Sequence, residues 1–184
     1  MMGVDSFRTA RMLARRPGPE DFLEWCRFRQ DPRVAATLGG LRPEERLRRD
    51  LDAILEHWAR HGFGVWMWRD PADGALIGHC GLRHYEVEGE QELELLYALR
   101  FESWGQGLAT EMAAASLEVG FERLGFEDAV AFTLTTHRAS RHVMEKLGMR
   151  YERDITHADL PHVLLRIMAA EWRQGPVRER FPLG

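Results

Sequence analysis

Two glycines in the run Trp104-Gly105-Gln106-Gly107-Leu108-Ala109-Thr110-Glu111 separate a strand-like segment from a strongly helical one. The apolar segment before them ends at Leu99, and apolar residues recur at helical spacing over 109–124. The glycines are therefore expected to open a helix, whose first N–H groups lack intrahelical partners and can bind a phosphate. Glycine also allows a ligand to approach the backbone closely. A Gly-x-Gly turn that serves chain geometry alone is an equally good interpretation of this run by itself.

The elements around this turn follow from hydrophobic periodicity and from breaker residues. Strands are expected over 9–15, 63–69, 75–84, 90–99, 129–135, 149–156 and 162–169, and helices over 19–31, 43–61, 109–124 and 138–147. Along the chain, strands predominate first and helices then alternate with strands. This order predicts one α/β (α+β) domain over 1–184, with a mixed, mostly antiparallel sheet of about seven strands flanked by about four helices. Residues 173–184 are expected as an extended tail that could either reach a second subunit in a homodimer or hang free.

Composition limits the function classes. The chain has 184 residues, 45% of them hydrophobic, and a formal net charge of −4, which argues against a nucleic-acid partner reached by electrostatics. No apolar run is long enough to span a bilayer and no secretory segment opens the chain, so we expect a cytoplasmic protein without a membrane partner. Cys26 and Cys80 lack metal-site spacing, and so do the histidines that attract attention, so no metal is expected: His79, His84, His157 and His162.

The glycine run resembles the Arg/Gln-x-x-Gly-x-Gly/Ala signature of the GNAT superfamily of acyl-coenzyme A dependent N-acetyltransferases, with Trp104 at its first position. Tryptophan there is typical of the branch that resembles ribosomal-protein N-terminal (alanine) acetyltransferases. The segment 139–149, Ala-Ser-Arg-His-Val-Met-Glu-Lys-Leu-Gly-Met, is similar to that branch's Asn-x-Ala-Ser-x-x-Val-x-Glu-Lys-Leu-Gly-Phe/Met. The resemblance extends over about residues 9–172, and two motifs in the same order make it more specific than either alone.

The resemblance implies acetyl-CoA as the acyl donor and a sheet that is splayed between its fourth and fifth strands, 90–99 and 129–135. The pantetheine arm would enter this gap and pair with the backbone there, while the pyrophosphate would bind the amides of the glycine run. The implied coenzyme-binding residues are Tyr97, Ala98, Leu99, Gly105, Gln106, Gly107, Leu108, Ala109, Thr110, His137, Ser140 and Arg141. Both placements orient a thioester toward an amine, so that proximity and carbonyl polarisation supply most of the rate gain.

A base must remove a proton from the acceptor ammonium, and the resemblance implies Glu94 for this role. Glu94-Leu95-Leu96-Tyr97 corresponds to the branch's Glu-Ile-Gly-Tyr pattern. Glu92 shares the face of Glu94 by strand alternation and is the second candidate. A solvent-facing carboxylate on an amphipathic strand, with a water acting as base, is an equally good interpretation.

A hydroxyl near the sulfur could protonate the leaving thiolate, and Ser140 matches the serine of the branch's second motif. A serine in the first turn of a helix is also a common capping residue. Tyr151 is a weaker candidate, and a thiolate released into water needs no acid.

The chain departs from the branch at His137, where asparagine is usual. Histidine can still donate or accept a hydrogen bond to the pantetheine region, although an ordinary loop histidine explains it equally well. A protonated His137 with Arg138 and Arg141 would form a basic edge suited to a cofactor phosphate, while a solvated helix face explains those arginines at least as well.

The sequence therefore predicts an acyl-CoA dependent N-acyltransferase that moves an acetyl group to a protein N-terminus or a small-molecule amine by direct attack in a ternary complex. The alternative is a non-catalytic acyl-CoA binding or sensing protein of the same fold. Cofactor binding without turnover would favour that alternative.

Overall fold

The computed structural model describes residues 4–181. Its strands are β1 (Ser6–Arg8), β2 (Leu13–Arg15), β3 (Val65–Arg69), β4 (Leu76–Val87), β5 (Glu90–Leu99), β6 (Asp128–Leu134), β7 (Arg150–His157) and β8 (Leu160–Met168). Its helices are α1 (Phe22–Gln30), α2 (Pro32–Ala36), α3 (Glu44–His61), α4 (Leu108–Glu118), α5 (Arg138–Lys146), α6 (Ala169–Gln174) and α7 (Val177–Arg180). A π-helical turn, Val119–Arg123, continues α4. These elements form the single mixed sheet with flanking helices that the sequence predicts.

The described strands form one sheet in the order β1-β2-β3-β4-β5-β6-β8-β7. Every neighbouring pair in it is antiparallel except β5 and β6, which run parallel. A parallel pair needs a crossover connection, and α4 with its π-helical continuation supplies it. The crossover places the start of α4 at the carboxyl end of β5.

The strand count differs from the expected seven because residues 9–12 form a turn and an additional strand, β1, lies before it. Thr9 N–H donates to the carbonyl of Met12 (2.9 Å), and Met12 N–H donates to the Thr9 hydroxyl (3.1 Å), which folds β1 and β2 into a hairpin. The splay therefore lies between the fifth and sixth strands, although these are the same two segments that were expected to separate. Short helices at α2, α6 and α7 raise the helix number above four.

The two faces of the sheet are covered by different helices. On one face, Trp25 of α1 donates a hydrogen bond from its indole to His79 of β4 (2.8 Å). On the other face, Cys80 of β4 contacts Ser116 of α4 (3.4 Å), because successive residues of a strand point to opposite faces. Trp66 and Trp68 of β3 are fully buried in the core.

Helix α4 is almost entirely buried. Its central residues 112–115 are Met-Ala-Ala-Ala, each at most 1% exposed, and the small alanines let the helix pack closely on the sheet. The C-terminal helices pack on the far end of α4: the Trp172 indole donates to Glu118 (2.9 Å), and Arg178 forms an ion pair with the same carboxylate (3.2 Å). The rigid crossover thus holds the glycine turn in place relative to the strands.

No helix in the described range 4–181 is both long enough and apolar enough to cross a membrane. Within the same residues, no group of three or more His, Cys, Asp or Glu side chains is arranged to hold a metal ion.

Candidate active site

The glycine turn ends with Gly107 as the N-cap of α4. Gly105 and Gly107 adopt φ of 72° and 76°, a left-handed conformation that strains other residues. The six consecutive N–H groups of residues 105–110 donate to no protein acceptor in the part of the chain that the structure describes; the first helical bond runs from Glu111 N–H to the Gly107 carbonyl (3.2 Å). A Cβ built on Gly105 would meet no other heavy atom within 4 Å. The turn is an open cradle of free donors suited to an anion.

Arg11, in the turn between β1 and β2, braces this cradle. Its guanidinium donates to the carbonyl of Gln106 (2.9 Å) and to the carboxylate of Glu111 (2.6 Å), and its backbone N–H donates to the same carboxylate (3.2 Å). The Glu111 side chain is 3% exposed and that of Arg11 is 46% exposed. A buried carboxylate of the first helical turn is thereby neutralised, while part of the guanidinium faces solvent beside Gly107, 3.7 Å from its Cβ position.

The cleft lies between β5 and β6, which share a single register pair, Glu94 and Val130. Beyond this pair, β5 continues to Leu99 and β6 to Leu134 without further pairing, whereas β4 pairs with β5 along its whole length. Only the edge of β5 that faces β6 is left open. The carbonyl of Leu99 accepts a hydrogen bond from the indole of Trp104 (2.9 Å), which fixes the path from β5 to the cradle. The open edge and the free amides of the cradle are therefore continuous.

Tyr97 and Ser140 meet on the α4 and α5 side of the cleft. The Tyr97 hydroxyl donates to the Ser140 carbonyl (2.9 Å) and lies 3.0 Å from the Ser140 hydroxyl. Because the single phenolic proton is used on the carbonyl, the serine hydroxyl is the donor between the two side chains. Burial raises the pKa of Tyr97, so the phenol stays protonated.

Glu94 lies on the opposite face, in register with Arg83 of β4. Its Oε2 accepts from Arg83 Nε (2.6 Å), and its side chain is 6% exposed. Strand alternation separates Glu94 from Tyr97, so the carboxylate and the two hydroxyls are on different faces of the sheet. The gap between β5 and β6 connects the two faces of the sheet.

Glu92, the second candidate for a base, is held in an ion-pair cluster. Both of its oxygens accept hydrogen bonds from Arg166 of β8 (2.6 and 3.0 Å), which also pairs with Asp128 and Glu152. These contacts raise the pKa of Arg166. A carboxylate with both oxygens bound to one guanidinium is a poor proton acceptor.

The remaining predicted residues lie around α5. His137 is the N-cap of α5 and is half-buried; its ring makes no hydrogen bond within residues 4–181, and burial lowers its pKa. Arg141 points along the helix and pairs with Glu145 (3.0 Å). Tyr151 is 52% exposed on β7 and donates to Asp154 (3.1 Å), which leaves it without contact to the cleft residues.

Comparison with known proteins shows to which family this chain belongs. The family model described as "Acetyltransferase (GNAT) domain" matches residues 11–150, about three quarters of the chain and the whole of the cleft and cradle. The chain belongs to the GNAT family of acetyltransferases.

Individual proteins are similar to this chain in fold or in sequence. An acetyltransferase from Agrobacterium tumefaciens is 25% identical and has a TM-score of 0.79, covering 91% of this chain and 96% of its own. The ribosomal-protein-S5-alanine acetyltransferase from Vibrio fischeri has the same fold at 17% identity, with a TM-score of 0.72 over 91% of this chain and 98% of its own. The uncharacterized protein YkkB from Bacillus subtilis (strain 168) is 29% identical over 131 residues, 71% of this chain and 76% of YkkB. The family and fold predicted from the two motifs are confirmed.

This GNAT acetyltransferase contains site residues that sequence reasoning missed. The contact of Arg11 with the glycine turn could not be predicted from the sequence, because its partner Glu111 lies 100 residues away in the chain. The Arg83 contact to Glu94 depends on the β4–β5 register, which the sequence predicts only as two neighbouring strands. The family resemblance implies a role only for the backbone of Tyr97 and gives no signal for its hydroxyl. Strand alternation could have placed that side chain on the α5 side.

Proposed function

We propose that the protein transfers the acetyl group of acetyl-CoA to an amine by direct attack in a ternary complex. The observation that carries the proposal is the parallel pair β5–β6, which separates after one register pair and leads to six free amides at the start of α4. An acyl-CoA fits these two features together, because its pantetheine arm can pair as an added strand while its pyrophosphate binds the amides.

The coenzyme would be held by a continuous set of groups. The pantetheine would pair along the open edge of β5 at Tyr97, Ala98 and Leu99, and the pyrophosphate would bind the cradle. Arg11 would add a partly exposed positive charge beside Gly107 without taking an amide donor. His137, Ser140 and Arg141 would border the other wall of the cleft.

Glu94 is the proposed base. Its Oε2 is held by Arg83, which fixes the carboxylate, while its Oε1 makes no protein hydrogen bond within the described residues. That oxygen is available to accept a proton from the acceptor ammonium, directly or through one water. Most of the rate enhancement would then come from proximity, because the amine and the thioester enter the cleft from opposite faces of the sheet and are held next to each other there.

The Ser140 hydroxyl is the proposed acid for the leaving thiolate. In the structure it donates to Tyr97, which donates in turn to the Ser140 carbonyl. To protonate the thiolate, the serine hydroxyl would turn to the sulfur, and the Tyr97 phenol would then donate to the serine oxygen, 3.0 Å away. The raised pKa of Tyr97 keeps this hydroxyl pair fully protonated at neutral pH.

The acceptor is a protein N-terminus or a small-molecule amine, and a transfer assay separates these two classes. Purified protein would be incubated with radiolabelled acetyl-CoA and a bacterial extract, which is then divided into macromolecular and small-molecule fractions. Label in either fraction supports the proposal and identifies the class of acceptor.

Gly107→Arg is the control for this assay, since its side chain would strain the turn and cover the amides. Coenzyme binding is measured in parallel by calorimetry. Binding of acetyl-CoA without transfer above the Gly107→Arg control would contradict the proposal and favour a sensing protein of the same fold.

A further inference from the structure

One arginine near Arg83, the residue that pairs with Glu94, has no anionic partner. Arg29, at the end of α1, forms no salt bridge or hydrogen bond in residues 4–181, and its Nε is the single side-chain nitrogen or oxygen there that is buried without a partner. Its guanidinium lies over the ring of Trp25, 5.5 Å from the centroid. Burying a charged group without an acceptor is costly, and most such groups in folded proteins are paired.

Two neighbouring arginines increase this cost. Burial and the positive charges of Arg42 and Arg83 lower the pKa of Arg29 to about 10, while Asp50 acts in the opposite direction. Asp50 already pairs with Arg42 (2.9 Å), and Glu94 pairs with Arg83 (2.6 Å). Arg29 therefore remains as an uncompensated positive charge in this group.

This charge lies on the face of the sheet from which the acceptor would approach. Trp25, under the Arg29 guanidinium, donates to His79, and burial together with Arg29 and Arg83 lowers the pKa of that histidine well below its usual range. Glu94 is on the same face of β5, in register with Arg83. No coenzyme phosphate is needed here, because the cradle is at the start of α4 and the helices α4 and α5 cover the other face.

Arg83 thus has a carboxylate, Glu94, on one side and the charge of the unpaired Arg29 close enough to act on it. Glu94 has a free oxygen for an ammonium group, and Arg29 has free N–H donors for an anion. Guanidinium groups bind carboxylate and phosphate oxygens through parallel hydrogen bonds. An amine that carries no anionic group would leave Arg29 buried without a partner, which disfavours such an acceptor.

We infer that the acceptor is a small amine that also carries an anionic group, a carboxylate or a phosphate, which Arg29 binds while Glu94 receives the ammonium. This inference rests on the proposed function and specifies the substrate class of the same site. Transfer then gives an N-acetylated acid and coenzyme A: the N–C bond forms and the C–S bond breaks, one proton of the ammonium passes to Glu94, and a second reaches the leaving thiolate through Ser140.

A paired-substrate assay tests it with the full chain and acetyl-CoA. Each free L-amino acid is compared with its own primary amide, and O-phosphoethanolamine with ethanolamine, so that each pair differs in the anion. We expect kcat/KM to be about 10- to 100-fold higher for the anionic member of the preferred pair, the range that a hydrogen bond to a charged group supplies. The carboxylate and phosphate pairs distinguish the two sources of charge.

Arg29→Gln should remove this preference, chiefly by raising KM for the anionic member, and Arg29→Lys should restore part of it. The matched control is Arg27→Gln, two residues away on the exposed side of α1, which should keep the preference. If Arg29 served only to stabilise the fold, the Arg29→Gln variant would be less stable than the unchanged protein. We expect it to unfold at an equal or higher temperature, because an unpaired buried charge is lost.

Equal use of the amides and the free acids, or an unchanged preference in Arg29→Gln, would overturn the inference and leave the proposed function intact. Binding of acetyl-CoA without transfer to any amine would instead overturn the proposed function, and this inference with it.

Discussion

At the scale of single residues, the proposed role of Glu94 as the base has a measurable consequence. Glu94→Gln keeps the shape of the side chain but cannot accept a proton. We expect kcat to fall by about 10²- to 10⁴-fold near neutral pH, the usual contribution of a general base. The loss should shrink at alkaline pH, where the acceptor amine is already deprotonated.

The matched control for this change is Glu90→Gln, an exposed carboxylate on the same strand and face. Steady-state rates against pH and the affinity for coenzyme A check both variants. Equal activity of Glu94→Gln and Glu90→Gln across the pH range would remove Glu94 from the mechanism.

Ser140→Ala tests the hydroxyl pair on the other side of the cleft. Removing the serine proton donor should lower kcat by about 10²-fold, the low end for an acid catalyst, because Tyr97 keeps its own proton. The affinity for coenzyme A, measured by calorimetry, should stay close to that of the unchanged protein. If Ser140→Ala lowers affinity and leaves kcat as it was, the serine binds the coenzyme and is not the acid.

The sequence was informative about some of these residues and silent about others. Gly105 and Gly107 were found because their type and their position between a strand and a helix indicate backbone geometry. Glu94 and Ser140 are predicted from motif positions, and their roles stay predictions. Arg29 could not be found, because an arginine on a helix is usually a solvated side chain and its lack of a partner appears only once α1 is packed on the sheet.

At the scale of elements, Arg11 joins the β1–β2 hairpin to the start of α4. Arg11→Ala would leave the Glu111 carboxylate buried with one backbone donor, which should lower the free energy of unfolding by about 1–3 kcal/mol. It should also weaken coenzyme A binding, because the Gln106 carbonyl loses its anchor. Urea denaturation and calorimetry measure the two effects.

Arg8→Ala, at an exposed position of β1, is the control and should change neither quantity. Adding Glu111→Gln to Arg11→Ala should recover part of the stability, since no charge is then left buried. A loss in the double variant equal to the sum of the single losses would mean that the ion pair contributes little.

Element prediction succeeded where the local pattern is strong. The bounds of α3 and β5 agree with the expected 43–61 and 90–99 within a residue. The segment 9–15 was read as one strand because the Thr9 turn has no glycine or proline to mark it. The separation of β5 and β6 was expected only from the family resemblance, because no residue pattern encodes where two parallel strands separate.

At the scale of the whole molecule, a cluster of histidines makes stability depend on pH. His57 donates from Nδ1 to the Phe63 carbonyl (3.0 Å) and accepts at Nε2 from the His84 N–H (3.0 Å), so it is neutral. Burial first, and the charges of His61, His84 and Arg83, lower its pKa to about 4. The unfolded chain, with a histidine pKa of about 6.5, binds the proton more tightly, so stability falls as the pH drops from about 6.5 toward 4.

Thermal unfolding at about pH 7.5 and about pH 5 should therefore show a lower melting temperature at the acidic value. His57→Gln, which can still donate and accept a hydrogen bond, should show a smaller drop. His142→Gln, at an exposed position of α5, is the control and should keep the full drop. An identical drop in all three proteins would show that His57 does not titrate as its burial requires.

The central claim is that the cleft between β5 and β6 and the free amides of residues 105–110 bind the acetyl donor. The most direct test is a titration of the ¹⁵N-labelled protein with coenzyme A, followed by amide chemical shifts. We expect the largest chemical-shift changes at residues 105–110 and 97–99. In the Gly107→Arg variant, coenzyme A should cause no shift changes at these residues. Shifts confined to other regions, such as the cavity between α5 and the C-terminal helices that Lys146, Trp172 and Pro176 line, would contradict the account.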